Sequence, residues 1–209
     1  MRSRSEQAGG DTCAQQRAAV EVMARKDPEA ALQWAKKIAL PWYRVQAMAS
    51  VIESLNNGAR AKVVAKMAMS AADSDTDAYR GGGCLSWVVG ACISQGNKEL
   101  AAEVLSHALQ RAISAQPASA RADALQLLLR FGSDLGLKSC RPVVLALHGC
   151  ILELATVGDR GCRYKASRAF DCLLIHTKPM DPGLAWQLVQ VCEEPRVRAK
   201  AEKMFAALA

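Results

Sequence analysis

Asp73, Asp75 and Asp77 have the spacing with which a calcium loop opens, where alternate carboxylates converge on one ion. The rest of such a loop is missing, because Ala78 stands where it needs Gly and Cys84 where it needs the bidentate Glu. The aspartates therefore read as a solvated acidic turn that caps the following helix. Gly81, Gly82 and Gly83 could suggest a phosphate cradle, but no Gly-Lys-Ser/Thr ending follows and no strand precedes them. They read instead as a close helix approach or a late start to the helix that contains them. The eight cysteines (Cys13, Cys84, Cys92, Cys140, Cys150, Cys162, Cys172 and Cys192) and three histidines form no Cys-x-x-Cys, His-x-x-x-His or His-Glu-x-x-His pattern, so a zinc site would need ligands from several segments. His148 with Cys150, or His107, has the residue types of a Cys/His nucleophilic pair, but ordinary placement on helix faces accounts for them. No Ser-centred elbow, catalytic carboxylate pair or dinucleotide fingerprint occurs. Catalytic residues, cofactor and metal are accordingly expected to be none, although chemistry assembled from distant residues stays open.

The most repeated polar feature is an Arg followed three residues later by a small residue: Arg44 with Ala47, Arg80 with Gly83, Arg121 with Ala124, Arg163 with Ala166 and Arg198 with Ala201. Arg17 with Val20 has the same form, and the spacings from Arg44 onward are 36, 41, 42 and 35 residues. Each Arg opens a helix, where its charge opposes the dipole, yet the preceding antiparallel helix ends beside it with free carbonyls that favour a cation. The column therefore reads as ties within helical hairpins, with a phosphate-binding stripe as the alternative. Trp42, Tyr43 and Arg44 cluster at an inter-helix corner and are residue types enriched in binding hot spots, although Trp42 can equally pack over the joint. Trp34, Trp87 and Trp186 lie within helical patterns and are predicted to be core.

What must position these residues is a repeat of about forty residues. The segment Asp27 to Ala47 lies without gaps on Asp181 to Ala201 with seven identities in 21 positions: Asp27/Asp181, Pro28/Pro182, Ala31/Ala185, Gln33/Gln187, Pro41/Pro195, Arg44/Arg198 and Ala47/Ala201. Asp27-Pro28 reads as an N-cap with Pro at the first helical position. Ala31, Ala35 and Ile38 mark one face; Pro41 ends that helix and opens a second, whose inward face carries Ala47, Val51 and Leu55. Later pairs are predicted near Asn97 to Ser114 with Pro117 to Phe131, Leu137 to Ala155 with Cys162 to Ile175, and Pro182 to Cys192 with Val197 to Leu208. A lone helix from Thr12 to Arg25 would cap the start. The pattern Asp-Pro-x-x-Ala-x-x-x-Ala, then Pro-x-x-Arg-x-x-Ala, resembles the HEAT-like and tetratricopeptide-like helical repeats of bacteria over nearly the whole chain after Gly10. That resemblance implies an all-α, right-handed α-solenoid of about five stacked antiparallel hairpins, and no activity. The expected division is a flexible tail over 1–11 and one repeat domain over 12–209, with units near 12–26, 27–56, 57–95, 96–135, 136–178 and 179–209.

Composition agrees with helices: 38 alanines stand beside ten aromatics in 209 residues, 51% of them hydrophobic. A chain of this length buries roughly 70% of its unfolded surface and needs neither disulfides nor metal for a core. The N-terminus has no apolar leader segment and no run approaches the roughly 18 apolar residues of a membrane span, so a cytoplasmic chain with reduced thiols is expected. Stacked hairpins offer an extended concave surface, and the expected function is a non-enzymatic scaffold for protein or peptide partners, with no membrane. The candidate partner surface is Trp42, Tyr43, Arg44, Arg80, Arg121, Arg163 and Arg198. The alternative is a nucleic-acid-binding HEAT-like protein, related to DNA repair, that uses the net charge of +7.

Overall fold

The computed structural model describes residues 4–157 and 159–208, with side chains from Thr12 onward. Among these the chain is all-helical, 83% helix in eleven α-helices with no strand. In chain order they are α1 (Arg4–Ala24), α2 (Pro28–Ala35), α3 (Pro41–Ser54), α4 (Gly58–Asp73), α5 (Ala78–Ser94), α6 (Lys98–Ala112), α7 (Ala118–Gly132), α8 (Leu137–Val157), α9 (Arg160–Thr177), α10 (Pro182–Gln190) and α11 (Pro195–Ala207). Helix α1 begins at Arg4, inside the segment expected as a tail; Met1 to Ser3 and the side chains of 4–11 lie outside the described residues.

Local chemistry sets most of these ends. Asp27 Oδ1 accepts from the Ala30 amide at 2.9 Å and Asp181 Oδ1 from the Leu184 amide at 2.9 Å, each satisfying an amide that the first helical turn leaves free. Asn57, Asp77, Asn97 and Asp159 cap α4, α5, α6 and α9 in the same way. Pro28, Pro41, Pro182 and Pro195 occupy first helical positions, where no N–H is needed.

Packing follows chain order. The odd-numbered helices touch one another in succession from α1 to α11, and each even-numbered helix rests on the odd helices before and after it. The residues three after each repeated Arg lie where neighbours meet: Ala47, Ala124 and Ala166 are fully buried, Ala201 and Val20 nearly so, and Gly83 is buried. A larger side chain at these points would hold the helices apart. Helix α8 is long and apolar enough to cross a membrane by length and composition, but half of its most apolar window is buried, with Val143, Val144, Leu147 and Ile151 in the core.

Two tryptophans depart from expectation. Trp34 on α2 is 55% exposed and Trp186 on α10 is 41% exposed, whereas Trp87 is half-buried. On α2 the inward face is taken by Ala31, Leu32 and Ala35, and Trp34 falls beside it with the Lys37 ammonium over its ring. Trp186 lies against Phe205 of α11, with its ring centroid 5.0 Å away.

Candidate functional site

All five arginines of the column sit in the first turn of an odd-numbered helix, but they find different partners. Arg44 does what the dipole argument requires: its Nε donates to the Ile38 carbonyl at 2.8 Å and Nη2 to the Ala39 carbonyl at 3.0 Å, in the turn after α2. Arg121 donates to the Ala115 carbonyl at 3.3 Å and also reaches forward to α8, where Nε meets the Cys150 sulfur at 3.1 Å and Nη2 pairs with Glu153. Arg198 reaches the Gln190 side chain at 2.5 Å and Glu202 at 3.0 Å. Arg80 pairs at 3.6 Å with Asp77, the cap of its own helix. Arg163 is half-buried and also engaged. Arg44, Arg121 and Arg198 are thus committed to neighbouring elements.

Trp42 packs across a joint. Its ring stacks on Tyr79 of α5 at 5.9 Å and meets Trp87 edge-on at 5.4 Å; Trp87 in turn lies 5.7 Å from Phe131 of α7. The four half-buried rings make a continuous stripe across α3, α5 and α7, and Arg130 sits over the last of them at 6.0 Å. Tyr43 packs against the core beside this stripe.

Beyond the stripe a groove crosses α5, α7 and α9, lined by Tyr79, Leu127 and Ile175 together with Asp123, Arg130, Arg168, Asp171 and His176. The two carboxylates there are already held, Asp123 by Lys165 at 3.8 Å and Asp171 by Lys200 at 2.8 Å. Arg130 and Arg168 are exposed and have no carboxylate within 4 Å among the described residues. Burial and the Arg130 charge lower the pKa of His176, so it stays neutral further into acid. None of Arg130, Arg168 and His176 was a sequence candidate; their placement in one groove depends on how two separate helices, α7 and α9, pack together.

The residues that could have done chemistry are placed otherwise. Asp77 caps α5, Asp75 accepts from the Asp77 amide at 3.0 Å, and Asp73 accepts from His107 Nε2 at 2.9 Å, so the three carboxylates do not converge. Among the described residues no group of three or more His, Cys, Asp or Glu could hold a metal ion. His148 Nε2 donates to the Leu188 carbonyl at 2.8 Å and Cys150 faces Arg121, so the two candidates serve different partners. Burial pushes the Cys92, Cys140 and Cys172 thiols up to about 11 and raises Cys84 further, the opposite of what a nucleophile needs.

The glycine run gives close approach and not a late start, since α5 opens at Ala78. A Cβ on Gly82 would lie 2.8 Å from the Ala112 amide nitrogen on α6. One on Gly81 would lie 2.6 Å from the Arg111 guanidinium and 2.9 Å from the Ala72 carbonyl. Gly81 therefore leaves room for Arg111, which donates to the Asp75 carbonyl at 2.7 Å and lies 3.7 Å from Asp73. Arg111 was missed because it stands outside the repeated column; its fit depends on a glycine thirty residues earlier.

A second groove lies where the end of α2 meets α3 and α4, lined by Met48, Val63, Met67 and Ala71 together with Lys36, Arg44 and Lys66. No carboxylate lines it.

No protein-family model matches the chain, and no curated protein matches it in sequence. Among solved structures, the crystal structure of Ton1535 from Thermococcus onnurineus NA1 is similar over 87% of this chain and 84% of that one, with 11% identity and a TM-score of 0.42.

Proposed function

We propose that this chain is a non-enzymatic scaffold of the helical-repeat type that holds a protein or peptide partner. In this reading α2–α3, α4–α5, α6–α7, α8–α9 and α10–α11 are five antiparallel hairpins stacked as a right-handed α-solenoid behind the capping helix α1. The succession of odd-on-odd helix contacts supports it, since stacked hairpins leave each unit touching its neighbours. The eight free cysteines suit a reducing compartment such as the cytoplasm.

The observation that carries the function is the surface across α3, α5, α7 and α9. There a stripe of half-buried aromatic rings runs into a groove where Arg130 and Arg168 lack carboxylate partners and held carboxylates stand beside them. Aromatic and Arg side chains with interleaved charge match the composition of protein-binding surfaces. A phosphate backbone would instead be repelled by Asp123 and Asp171.

The test is affinity capture from a cell extract with the wild-type chain and with Arg130→Glu/Arg168→Glu, which alters two exposed side chains. A protein retained by the wild type and lost by the variant is expected. Retention by both alike, or a gel shift of single-stranded or duplex DNA that the double variant abolishes, would overturn the reading.

A further inference from the structure

The groove over α2, α3 and α4 is separate from that surface and has a different character. Its charged side chains are all cationic, and neither Lys36 nor Lys66 has a carboxylate within 4 Å among the described residues. Arg44 adds a third charge that cannot move away, because its guanidinium is anchored on the Ile38 and Ala39 carbonyls. Three cations in the lining of one groove, with no carboxylate among them, favour an anionic guest.

The rest of the lining specifies what the anion must carry. Met67 and Val63 offer thioether and aliphatic surface above the buried Met48, and Val63 is 46% exposed although it lies on a helix whose inward face is filled by Ala61, Val64, Ala65 and Ala68. Methionine adapts its shape to an apolar guest at little cost. No aromatic ring lines the groove for a base to stack on, which single-stranded nucleic acid would use. Ser70 and Ser74 complete the lining.

We propose that this groove binds an acidic amphipathic segment of another protein, with its apolar residues on Val63 and Met67 and its carboxylates on Lys36 and Lys66. A helix with Leu at every third or fourth position and Glu on its flanks has that chemistry. The site stands apart from the α5–α7–α9 groove, so either can fail alone.

The probe is a fluorescein-labelled helical peptide of Leu, Glu and Ala in that pattern, followed by anisotropy against the full chain at low and high salt. Two control peptides replace Glu by Lys or Leu by Ser. Saturable binding of the Leu/Glu peptide is expected, weakened by salt and weakened at least about tenfold by Lys36→Glu/Lys66→Glu, a charge reversal at two exposed positions. Met67→Gln should weaken it as the Ser-for-Leu peptide does, and Arg130→Glu/Arg168→Glu should leave it unchanged. Absence of saturable binding by the wild type, equal binding by the Lys36/Lys66 variant, or equal binding of the Leu and Ser peptides overturns the proposal. Tighter binding of labelled oligothymidylate that displaces the peptide also overturns it, in favour of a nucleic-acid site.

Discussion

The two copies of one sequence motif, Asp27 to Ala47 and Asp181 to Ala201, begin alike and end differently. Both open with the same cap at the same 2.9 Å and with Pro at the next position. These are local devices, and a local device works wherever the chain carries it. The arginines then part company: Arg44 binds two carbonyls in the turn after α2, whereas Arg198 binds the Gln190 and Glu202 side chains. The surroundings differ more. Helix α3 lies between α1 and α5 and buries seven residues; α11 rests mainly on α9 and α10 and buries Val197 and Ala201. The same sequence pattern therefore specifies how a helix pair starts, while the helices packed on it decide how firmly it is held.

The sharpest way to break this comparison is to overfill the shared small position. Ala47 is fully buried and has neighbours on both sides, so Ala47→Leu should destabilise the chain by about 3 kcal/mol, the upper end for overpacking a tight core. Ala201 is just as buried, but α11 can move outward, and Ala201→Leu should cost about 1 kcal/mol. Urea denaturation of both variants measures the difference. Equal losses would mean that α11 is as constrained as α3.

Removing the cap tests the opposite half of the comparison. Asp27→Ala and Asp181→Ala each leave one helix-start amide without its partner and should cost about 1 kcal/mol locally. In the interior copy that loss should appear as a lower global stability. In the second copy it should appear as faster amide exchange confined to α10 and α11, since a sparsely packed pair of helices can open alone. Identical global losses would show that α10 and α11 unfold with the rest.

The fold was legible to the extent that it is local. Caps, first-position prolines and the small residues after each Arg could be read because each is decided within one turn or by one recurring contact. Trp34 and Trp186 could not: their apolar type predicts burial, but whether a neighbour covers them depends on which helices pack over them and which face the alanines occupy. Polar Gln33, Lys36 and Lys37 around Trp34 were the available signal. Trp42 was legible as a joint residue, but Arg111 on Gly81 and the grouping of Arg130, Arg168 and His176 were not, since these join segments thirty to forty-six residues apart.

The smallest expected effect also separates the copies. His148 of α8 donates to the Leu188 carbonyl of α10 and packs edge-on against Phe170 at 5.9 Å, whereas Trp34 fills the position that matches Leu188 in the first copy. Burial holds the imidazole pKa below its ordinary value, so the folded chain keeps His148 neutral at a pH where the unfolded chain has taken up the proton. Stability tied to this contact is therefore complete above the unfolded value of about 6.5 and is lost as pH falls from there towards the lower folded value. His176, also lowered, adds to the global loss with the same sign. Amide exchange, corrected for its intrinsic pH dependence, should quicken in α10 more than in α2 between about pH 7.5 and about pH 5.5. His148→Gln keeps an N–H for Leu188 without the titration and should remove that difference. If α2 quickened as much as α10, or the Gln variant kept the full pH response, the acid sensitivity would lie elsewhere than in the tie that holds the second copy to the row.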